Sequence, residues 1–278
     1  MPELPELEVV KEVLERRVVG QRIIAVHVIA NGALVARDLT GTGLEHTLTG
    51  TTIDGVARRG KFLVFSLTTV EGSPLYLVLN PKLTGRLQLA RPKEKRFAKT
   101  HIVFSLSGGD ELRYVDQRRM GQLYLARALD AVPEYGGIGP EPFEISMEQF
   151  RARLRTFRGE IKGILTRGEL VAGIGNAYAD EILWAARLYP YRKRTQLTPE
   201  ETDRLYQAMQ VTLRHAIEQV RREMGEAIHD KPRDFLIVHT KAGEPCPRCG
   251  TPISLVGANQ RITNFCRTCQ PGGLIKGM

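Results

Sequence analysis

The apolar residues near the start of the chain recur at helical spacing. Leu7, Val10 and Leu14 fall on one face of a helix over residues 5–18, because positions three and four apart lie on the same side. Pro5 suits the first helical position, where its missing N–H is not needed. The sequence therefore predicts that an amphipathic helix opens the chain.

Short strand-like runs follow, from Arg22 to about Leu125. Six β-rich segments are separated by turn signals: IIAVHVIA, GKFLVFSLTT, PLYLVLN, THIVFSL, ELRYVD and GQLYLA. Repeated short strands of this kind predict an antiparallel sandwich or barrel. A stretch rich in Gly and Pro, YGGIGPEPFE (135–144), marks the predicted end of this part of the chain.

Helical spacing returns after this boundary. The predicted helices cover residues 146–157, about 160–166, 176–187 and 199–222. Thr198, Pro199 and Glu201 form a capping box at the start of the last one. Residues 226–240 fit neither pattern, so the sequence predicts a helical domain that ends in an irregular segment.

Composition and charge narrow the class of protein. The chain has 42% hydrophobic and 26% charged residues, as globular proteins do. No apolar run approaches the length of a membrane span, and no secretory signal is evident, so we expect a cytoplasmic protein with no membrane contact. The net charge of +9 favours nucleic acid as a partner, because Lys and Arg on phosphates release condensed counterions. A solvated basic surface is the alternative.

All four cysteines lie near the end of the chain. They form two CxxC pairs, Cys246 with Cys249 and Cys266 with Cys269, sixteen residues apart. This spacing predicts one structural Zn²⁺ held by four thiolates, on a hairpin whose turn lies near Gly257–Gln260. Two disulfides are the alternative, which a cytoplasmic location disfavours. So short a segment would depend on the metal for its folding.

Two further stretches hold candidate chemistry but also admit a structural explanation. In the opening MPELPELE, Glu3, Glu6 and Glu8 could simply place favourable charge at a helix N-terminus. In VAGIGNAYADEILWAAR (171–187), a glycine-rich turn precedes Asn176, which could cap the helix and contact a phosphate. Turns of this kind are more often structural.

Three motifs now coincide: PELPE, a GxGNxYxDE turn and helix, and a CPRC…CRTC hairpin with an Arg five residues before its third Cys. With RRGKFL (58–63) and ELRYVDQRRMG (111–121), they closely resemble the bacterial formamidopyrimidine-DNA glycosylase / endonuclease VIII family, nearer its formamidopyrimidine branch. The resemblance implies an α+β multidomain fold. Its parts are an N-terminal helix and antiparallel β-sandwich (1–135), a helix-two-turn-helix domain (140–225) and a zinc-finger β-hairpin (240–272).

The resemblance also implies a mechanism for the start of the chain. Removal of Met1 would leave Pro2 with a terminal secondary amine, and an α-amine titrates near pH 8. Such an amine can attack C1′ of a damaged nucleotide and form a Schiff base, which implies a bifunctional glycosylase and β,δ-elimination lyase. Glu3 is the implied acid/base, and Lys61 and Arg261 are the implied catalytic-site phosphate contacts. Taken alone, Lys61 and Arg261 are typical of solvated residues.

The resemblance implies five further DNA-binding residues, three of which are called fillers below. Glu6 matches a family acid that orders the site, and Asn176 matches a phosphate contact. Leu83, Arg118 and Met120 take the places of residues that fill the gap left by an extruded nucleotide. The family commonly has Met, Arg and Phe there, so the preference for the opposite base is left open.

The resemblance departs from the formamidopyrimidine branch between the long helix and the cysteines. The segment GEAIHDKPRDFLIVHTKAGEPC is shorter than the family's loop over flipped 8-oxoguanine. We therefore expect ring-opened purines to be better substrates than 8-oxoguanine, and oxidised pyrimidines stay open. His229 and His239 lack metal-ligand spacing, and Trp184 is predicted to be helix core.

The expected partner is damaged double-stranded DNA, bound by a monomer in the bacterial cytoplasm and nucleoid. A second hypothesis keeps the same fold as a catalytically weak damaged-DNA-binding protein. A third, a generic zinc-ribbon protein, leaves MPELPELE without an explanation.

Overall fold

A computed structural model describes residues 1–29, 35–257 and 262–272. The chain divides into two compact units. The first comprises Met1–Gly137 with Val220–Pro232, and the second comprises Ile138–Gln219 with Arg233–Met278. The three-domain division predicted from the sequence stays a prediction.

Two α-helices and nine strands lie wholly within the described residues of the first unit. They are α1 (Leu4–Val18), β1 (Ile23–Val28), β2 (Ala36–Asp38), α2 (Leu44–Leu48), β3 (Thr52–Arg59), β4 (Phe62–Thr68), β5 (Pro74–Asn80), β6 (Gly85–Ala90), β7 (Thr100–Leu106), β8 (Glu111–Asp116) and β9 (Gln122–Ala126). All six predicted strand runs contain a strand. The helix predicted over 5–18 is α1, which begins one residue earlier.

The strands form the two sheets of the predicted sandwich. One sheet has the order β1-β7-β8-β6 and the other has the order β2-β9-β5-β4-β3. All pairings are antiparallel except β2 with β9, which is parallel. The chain crosses from one sheet to the other between β5 and β6 and again between β8 and β9. Asn80 pairs with Gln122 and Gly85 pairs with Asp116, so these two connections lie at the same end of the sandwich.

Helix α1 packs against β3 and β4. Its apolar face is buried, with Leu4, Leu7, Val10 and Leu14 each no more than 5% exposed. Burying side chains of this size contributes roughly 1.5–3 kcal/mol each. This packing places the first residues of the chain beside the larger sheet.

The second unit contains the predicted helices and hairpin. They are α3 (Met147–Thr156), α4 (Ile161–Thr166), α5 (Asn176–Ala185), α6 (Pro199–Met224), β10 (Ser254–Val256) and β11 (Thr263–Phe265), and α6 continues into the first unit from Val220. The predicted capping box is present, since the Glu201 N–H donates to Thr198 Oγ1 at 3.2 Å. Residues 226–240 form neither helix nor strand.

A single apolar core holds the four helices of the second unit. It includes Phe150, Ile164, Ile182, Leu205 and Met209, each fully buried. Within the described parts of the chain, none of the helices is both long and apolar enough to span a lipid bilayer.

Ion pairs tie α1 to the end of α6. Arg221 donates to both carboxylate oxygens of Glu12, at 2.8 and 2.9 Å. The Glu226 carboxylate pairs with Arg16 at 2.9 Å and with Arg17 at 3.1 Å. The Arg221 hydrogen bonds lower the pKa of Glu12, and the Arg16 hydrogen bond lowers the pKa of Glu226. Both carboxylates are thus more easily ionised in the folded chain than in the unfolded one.

These lowered pKa values predict acid lability. The stability that Glu12 contributes is present above its unfolded pKa of 4.5 and is lost as the pH falls through its folded pKa. Glu12→Gln should lower the free energy of unfolding at pH 7 by up to about 1 kcal/mol and should change it little at pH 3. Urea unfolding at both pH values measures this. Glu15→Gln, on the same helix, is the control, and an equal loss at both pH values would contradict the linkage.

Candidate active site and metal centre

Two carboxylates are buried at the start of α1. Glu3 precedes the helix in extended conformation, and Glu3 and Glu6 are only 2% and 1% exposed. The Glu3 N–H donates to Glu6 Oε2 at 2.8 Å, so Glu6 closes a capping box on the first turn. Glu6 therefore has the helix-start role that its position suggested. The same contact fixes the backbone of Glu3, the residue that follows Pro2.

Glu8 has a different role from the helix-start charge that its position suggested. Its carboxylate pairs with Arg58 Nε at 2.5 Å, and Arg58 Nη1 donates to the Gly60 carbonyl at 3.1 Å. Gly60 has φ +57, in the left-handed region that glycine tolerates. The pair fastens the turn between β3 and β4, which carries Lys61, to α1. Partners 50 residues apart in sequence leave no local signal.

The structure brings the three predicted fillers to the end of the sandwich where the chain crosses between the sheets. Leu83 lies on the connection from β5 to β6, and Arg118 and Met120 lie on the connection from β8 to β9. The two connections touch, because the Arg118 N–H donates to Thr84 Oγ1 at 3.0 Å. Met120 is 46% exposed, which leaves this apolar side chain available to a partner.

A cavity of about 200 Å³ joins these features within the first unit. Pro2 and Glu6 line it together with Leu83, and Leu7, Leu63 and Leu87 are among its apolar walls. The predicted nucleophile, one acid and one filler thus share a single cavity. An apolar pocket with few polar groups is the usual form of a small-ligand site.

The segment after α6 forms another wall of this cavity. Ile228, His229, Asp230 and Lys231 line it, and Ile228 is 2% exposed. The His229 carbonyl accepts from Arg86 Nη1 at 3.0 Å, and the His229 ring packs on Phe97 with centroids 5.3 Å apart. The short segment is therefore attached to the sandwich at its backbone and at a side chain.

In the second unit, Asn176 contacts the base of the hairpin. The helix cap is Gly175 and Asn176 is the first helical residue, so the prediction that Asn176 caps α5 is wrong. Its Nδ2 donates instead to the Ile262 carbonyl at 2.7 Å, and Lys162 Nζ donates to the same carbonyl at 2.9 Å. Arg261, which precedes Ile262, lies outside the described residues.

Two acids on α5 were not identified from the sequence as site residues. Asp180 is fully buried and pairs with Lys162 Nζ at 2.6 Å and His239 Nδ1 at 2.8 Å. It also accepts the Asn264 N–H at 3.1 Å. The only signal was the DE pair in the GxGNxYxDE motif. Asp180 ties the hairpin strand β11 and the segment before the cysteines to the helices.

Glu181 holds the segment before the cysteines through its backbone. Its carboxylate accepts the N–H groups of Ile237, Val238 and His239 at 2.9, 2.9 and 2.8 Å. Burial raises the pKa of Glu181, and these three hydrogen bonds oppose that rise. The residues are consecutive, so one side chain fixes a whole turn of irregular backbone.

The four cysteine sulfurs converge. All lie within 4.8 Å of one another, with Cys246 Sγ 3.9 Å from Cys269 Sγ and Cys249 Sγ 3.4 Å from Cys266 Sγ. A tetrahedral zinc site with Zn–S bonds of about 2.3 Å has sulfurs roughly 3.8 Å apart. Disulfide sulfurs are about 2.05 Å apart, so the disulfide alternative is wrong. The donor set fits one structural Zn²⁺.

The surroundings act unequally on the four thiols. Hydrogen bonds from Thr251 lower the pKa of Cys249 to about 6, whereas burial raises the pKa of Cys266 and of Cys269. Trp184 Nε1 donates to Cys246 Sγ at 3.5 Å, and the Arg248 guanidinium stacks on the indole at 4.0 Å. Trp184 is only half-buried, so it belongs to the metal centre rather than to the helix core as predicted.

The position of Trp184 predicts a direct optical test of the zinc site. Trp184 is the chain's only tryptophan, so chelation should shift its emission to longer wavelength as the indole loses its packing and gains water. Added Zn²⁺ should reverse the shift, and metal analysis should give one ion per chain. Trp184→Phe is the control for tyrosine emission. Metal-free protein with unchanged Trp184 emission would contradict the assignment.

Comparison with known proteins covers almost the whole chain. Three family models match: the formamidopyrimidine-DNA glycosylase N-terminal domain over residues 1–123, the formamidopyrimidine-DNA glycosylase H2TH domain over 138–226, and a zinc finger found in FPG and IleRS over 243–272. The predicted helix-two-turn-helix and zinc-finger parts are therefore confirmed, and the chain has one structural zinc site.

Individual relatives agree with the family models. A formamidopyrimidine-DNA glycosylase of Symbiobacterium thermophilum is 39% identical over 98% of this chain and 90% of its own length. Two structures of Lactococcus lactis Fpg superpose with TM-scores of 0.85. One contains DNA with an abasic site (34% identity, 97% of this chain, 100% of that chain), and the other contains N7-benzyl-Fapy-dG DNA (35%, 98%, 100%). On these grounds the chain belongs to the formamidopyrimidine-DNA glycosylase family.

Proposed function

We propose that the chain is a base-excision-repair glycosylase with lyase activity, which removes oxidised bases from duplex DNA. The observation that carries this proposal is the cavity lined by Pro2, Glu6 and Leu83, with the buried Glu3 adjacent in sequence. A nucleophile, acids and an apolar filler at one cavity are what base removal after extrusion requires.

The proposed nucleophile is the Pro2 amine exposed by removal of Met1. Its nitrogen bonds to C1′ of the extruded nucleotide while the bond from C1′ to the base breaks, and the base leaves with a proton. Ring opening gives an iminium ion, which acidifies the C2′ proton. Loss of that proton expels the 3′ phosphate, and a second elimination expels the 5′ phosphate. Glu3 is the proposed acid/base for the sugar-ring oxygen and these protons.

The proposed DNA contacts divide into phosphate anchors and fillers. Lys61, Asn176 and Arg261 would hold phosphates around the lesion, and the net charge of +9 supports such a role. The contact of Asn176 with the Ile262 carbonyl places the residue after Arg261 beside α5. Leu83, Arg118 and Met120 would occupy the gap in the duplex. The Lactococcus lactis complex with abasic-site DNA supports DNA as the partner.

The cavity wall supports ring-opened purines as the preferred lesions. His229 is attached through Arg86 and Phe97, so this wall has a fixed shape rather than a long segment that closes over the base. A ring-opened purine has rotatable bonds with which it can adapt to a fixed wall, and planar 8-oxoguanine lacks them. The complex of Lactococcus lactis Fpg with N7-benzyl-Fapy-dG DNA is consistent with this class.

Borohydride trapping should locate the nucleophile. We expect a covalent adduct with abasic-site DNA that maps by mass spectrometry to Pro2. Protein with an uncleaved N-terminal tag should give none, because its Pro2 nitrogen is an amide. Glu3→Gln keeps the amine and should still be trapped on a preformed abasic site, while base removal falls about 10²–10⁴-fold. A tagged protein that forms the adduct equally well would refute the mechanism, and absence of any adduct would favour the binding-protein alternative.

Single-turnover excision should rank the lesions. We expect ring-opened guanine to be removed faster than 8-oxoguanine, with thymine glycol as the test of the pyrimidine alternative. Arg86→Ala, which frees the wall, should slow excision of ring-opened guanine by roughly tenfold and leave abasic-site cleavage unchanged. Arg127→Ala, an exposed arginine in the same unit, is the control. Wild-type protein that removes 8-oxoguanine faster than ring-opened guanine would contradict this account of the wall. So would an Arg86→Ala variant that loses as much activity on abasic-site DNA as on ring-opened guanine.

A further inference from the structure

One fully buried carboxylate receives donors from both connections that carry the fillers. Asp116 ends β8 and is 0% exposed. Its Oδ1 accepts the Thr84 hydroxyl and, at 3.1 Å, the Arg118 N–H. Its Oδ2 accepts the Gly121 N–H at 2.7 Å and the Tyr114 hydroxyl at 3.1 Å. Both oxygens are therefore fully used.

The backbone of Asp116 is fixed as well. Its N–H donates to the Lys99 carbonyl at 3.0 Å, and its carbonyl contacts His101 Nε2 at 2.9 Å. The carboxylate therefore projects from a rigid position in the sheet. Thr84 follows Leu83 directly, and Arg118 and Gly121 flank the loop that contains Met120.

Both connections bend at strained residues beside the fillers. Lys82 has φ +46 and Arg119 has φ +54, values that side-chain-bearing residues rarely adopt. Lys82 precedes Leu83, and Arg119 lies between Arg118 and Met120. Such conformations persist only where the surroundings enforce them. Asn80 Oδ1 accepts the Lys82 N–H at 3.2 Å, and Asp116 accepts the N–H of Arg118, which precedes Arg119.

Close packing around Tyr114 leaves no room for a side chain at the glycine of either connection. A Cβ on Gly121 would lie 2.1 Å from the Tyr114 hydroxyl, and one on Gly85 would lie 2.6 Å from the Pro81 carbonyl. Burial raises the pKa of Tyr114, and the neighbouring Asp116 raises it further, so the hydroxyl stays protonated and donates. The pair thus joins the two connections at their base.

We propose that Asp116 is the positioning residue for the fillers, and that it sets how the protein reads the base opposite the lesion. This rests on the proposed function. Asn at this position keeps the shape but has one acceptor oxygen, and its amide group would face an N–H or hydroxyl donor. Leu83, Arg118 and Met120 would then lose their common arrangement, while Pro2 keeps its place just before α1.

The test compares Asp116→Asn with Asp38→Asn. Asp38 accepts the Thr40 N–H at 2.8 Å, the Thr40 hydroxyl at 2.6 Å and the Gly43 N–H at 2.7 Å, so it is a similar carboxylate that holds a loop without fillers. Single-turnover excision of ring-opened guanine opposite each of the four bases is measured for both variants. Borohydride trapping on single-stranded abasic DNA, which has no opposite base, is measured alongside.

Asp116→Asn should slow duplex excision roughly tenfold to a hundredfold and compress the rate differences among the opposite bases. Trapping on single-stranded abasic DNA should be unchanged, and Asp38→Asn should match the wild type in both assays. Equal loss in both assays, or an unchanged opposite-base pattern, would overturn the proposal.

Thr84→Val provides a second test if Asp116→Asn fails to fold. It removes one donor to Asp116 and keeps the side-chain shape, so it should give the same compression to a smaller degree. An unchanged pattern in a folded Thr84→Val protein would also overturn the proposal. Wild-type protein inactive in both assays would overturn the proposed function itself, which separates the two failures.

Discussion

Buried carboxylates that accept backbone N–H groups hold the irregular segments of this chain. Glu6 accepts the Glu3 N–H, Asp116 accepts N–H groups of a connection at the end of the sandwich, and Glu181 accepts three consecutive N–H groups before the cysteines. A buried charge is costly unless its oxygens are satisfied, and a hydrogen bond to a charged group contributes about 1.5–3 kcal/mol. In each case backbone N–H groups replace water as partners of the carboxylate, and the segment that supplies them is thereby fixed.

This arrangement matters because the proposed site residues lie at element ends and on connections rather than in the middle of helices or strands. Pro2 precedes α1, Lys61 lies in the β3–β4 turn, and Leu83 lies on the connection from β5 to β6. Such backbone has no repeating hydrogen bonds of its own to fix it. Misplacement by about 1 Å can cost roughly a hundredfold in rate, so the acids that fix these segments matter for chemistry as much as for stability.

Regular structure was predictable where apolar residues recur at helical or strand spacing, and the zinc site was predictable from the spacing of its cysteines. Helix α1, the helices of the second unit and the zinc ligands follow from residues close together in sequence. Strand β3 reads TIDGVARR and β6 reads GRLQLA. Both were missed: in β3, Asp54 and Gly55 interrupt the alternation, while β6 does alternate but has only two large apolar residues, Leu87 and Leu89. The five-residue α2 and three-residue β2 are too short to give a periodic signal.

Side-chain partners distant in sequence were not predictable. Asp180 and Asn264 are 84 residues apart, and Arg86 and His229 are 143 apart. Asn176 was expected to cap α5, because Asn favours caps, but Gly175 takes that place and frees the amide for Ile262. Tertiary contacts decide such choices, and the neighbouring residues in the sequence do not reveal them.

Under the proposed function, recognition of the base at the cavity is separate from attachment to the duplex. Every residue that lines it belongs to the first unit, including the segment after α6. Because His229 is already attached through Arg86 and Phe97, an entering base does not have to order this wall, and that entropic cost of binding is avoided. A wall in a fixed position discriminates between bases by their shape, so substitutions of Arg86 or Phe97 should change the lesion preference. Asn176 and the zinc hairpin should instead govern affinity for the phosphate backbone, whatever the base.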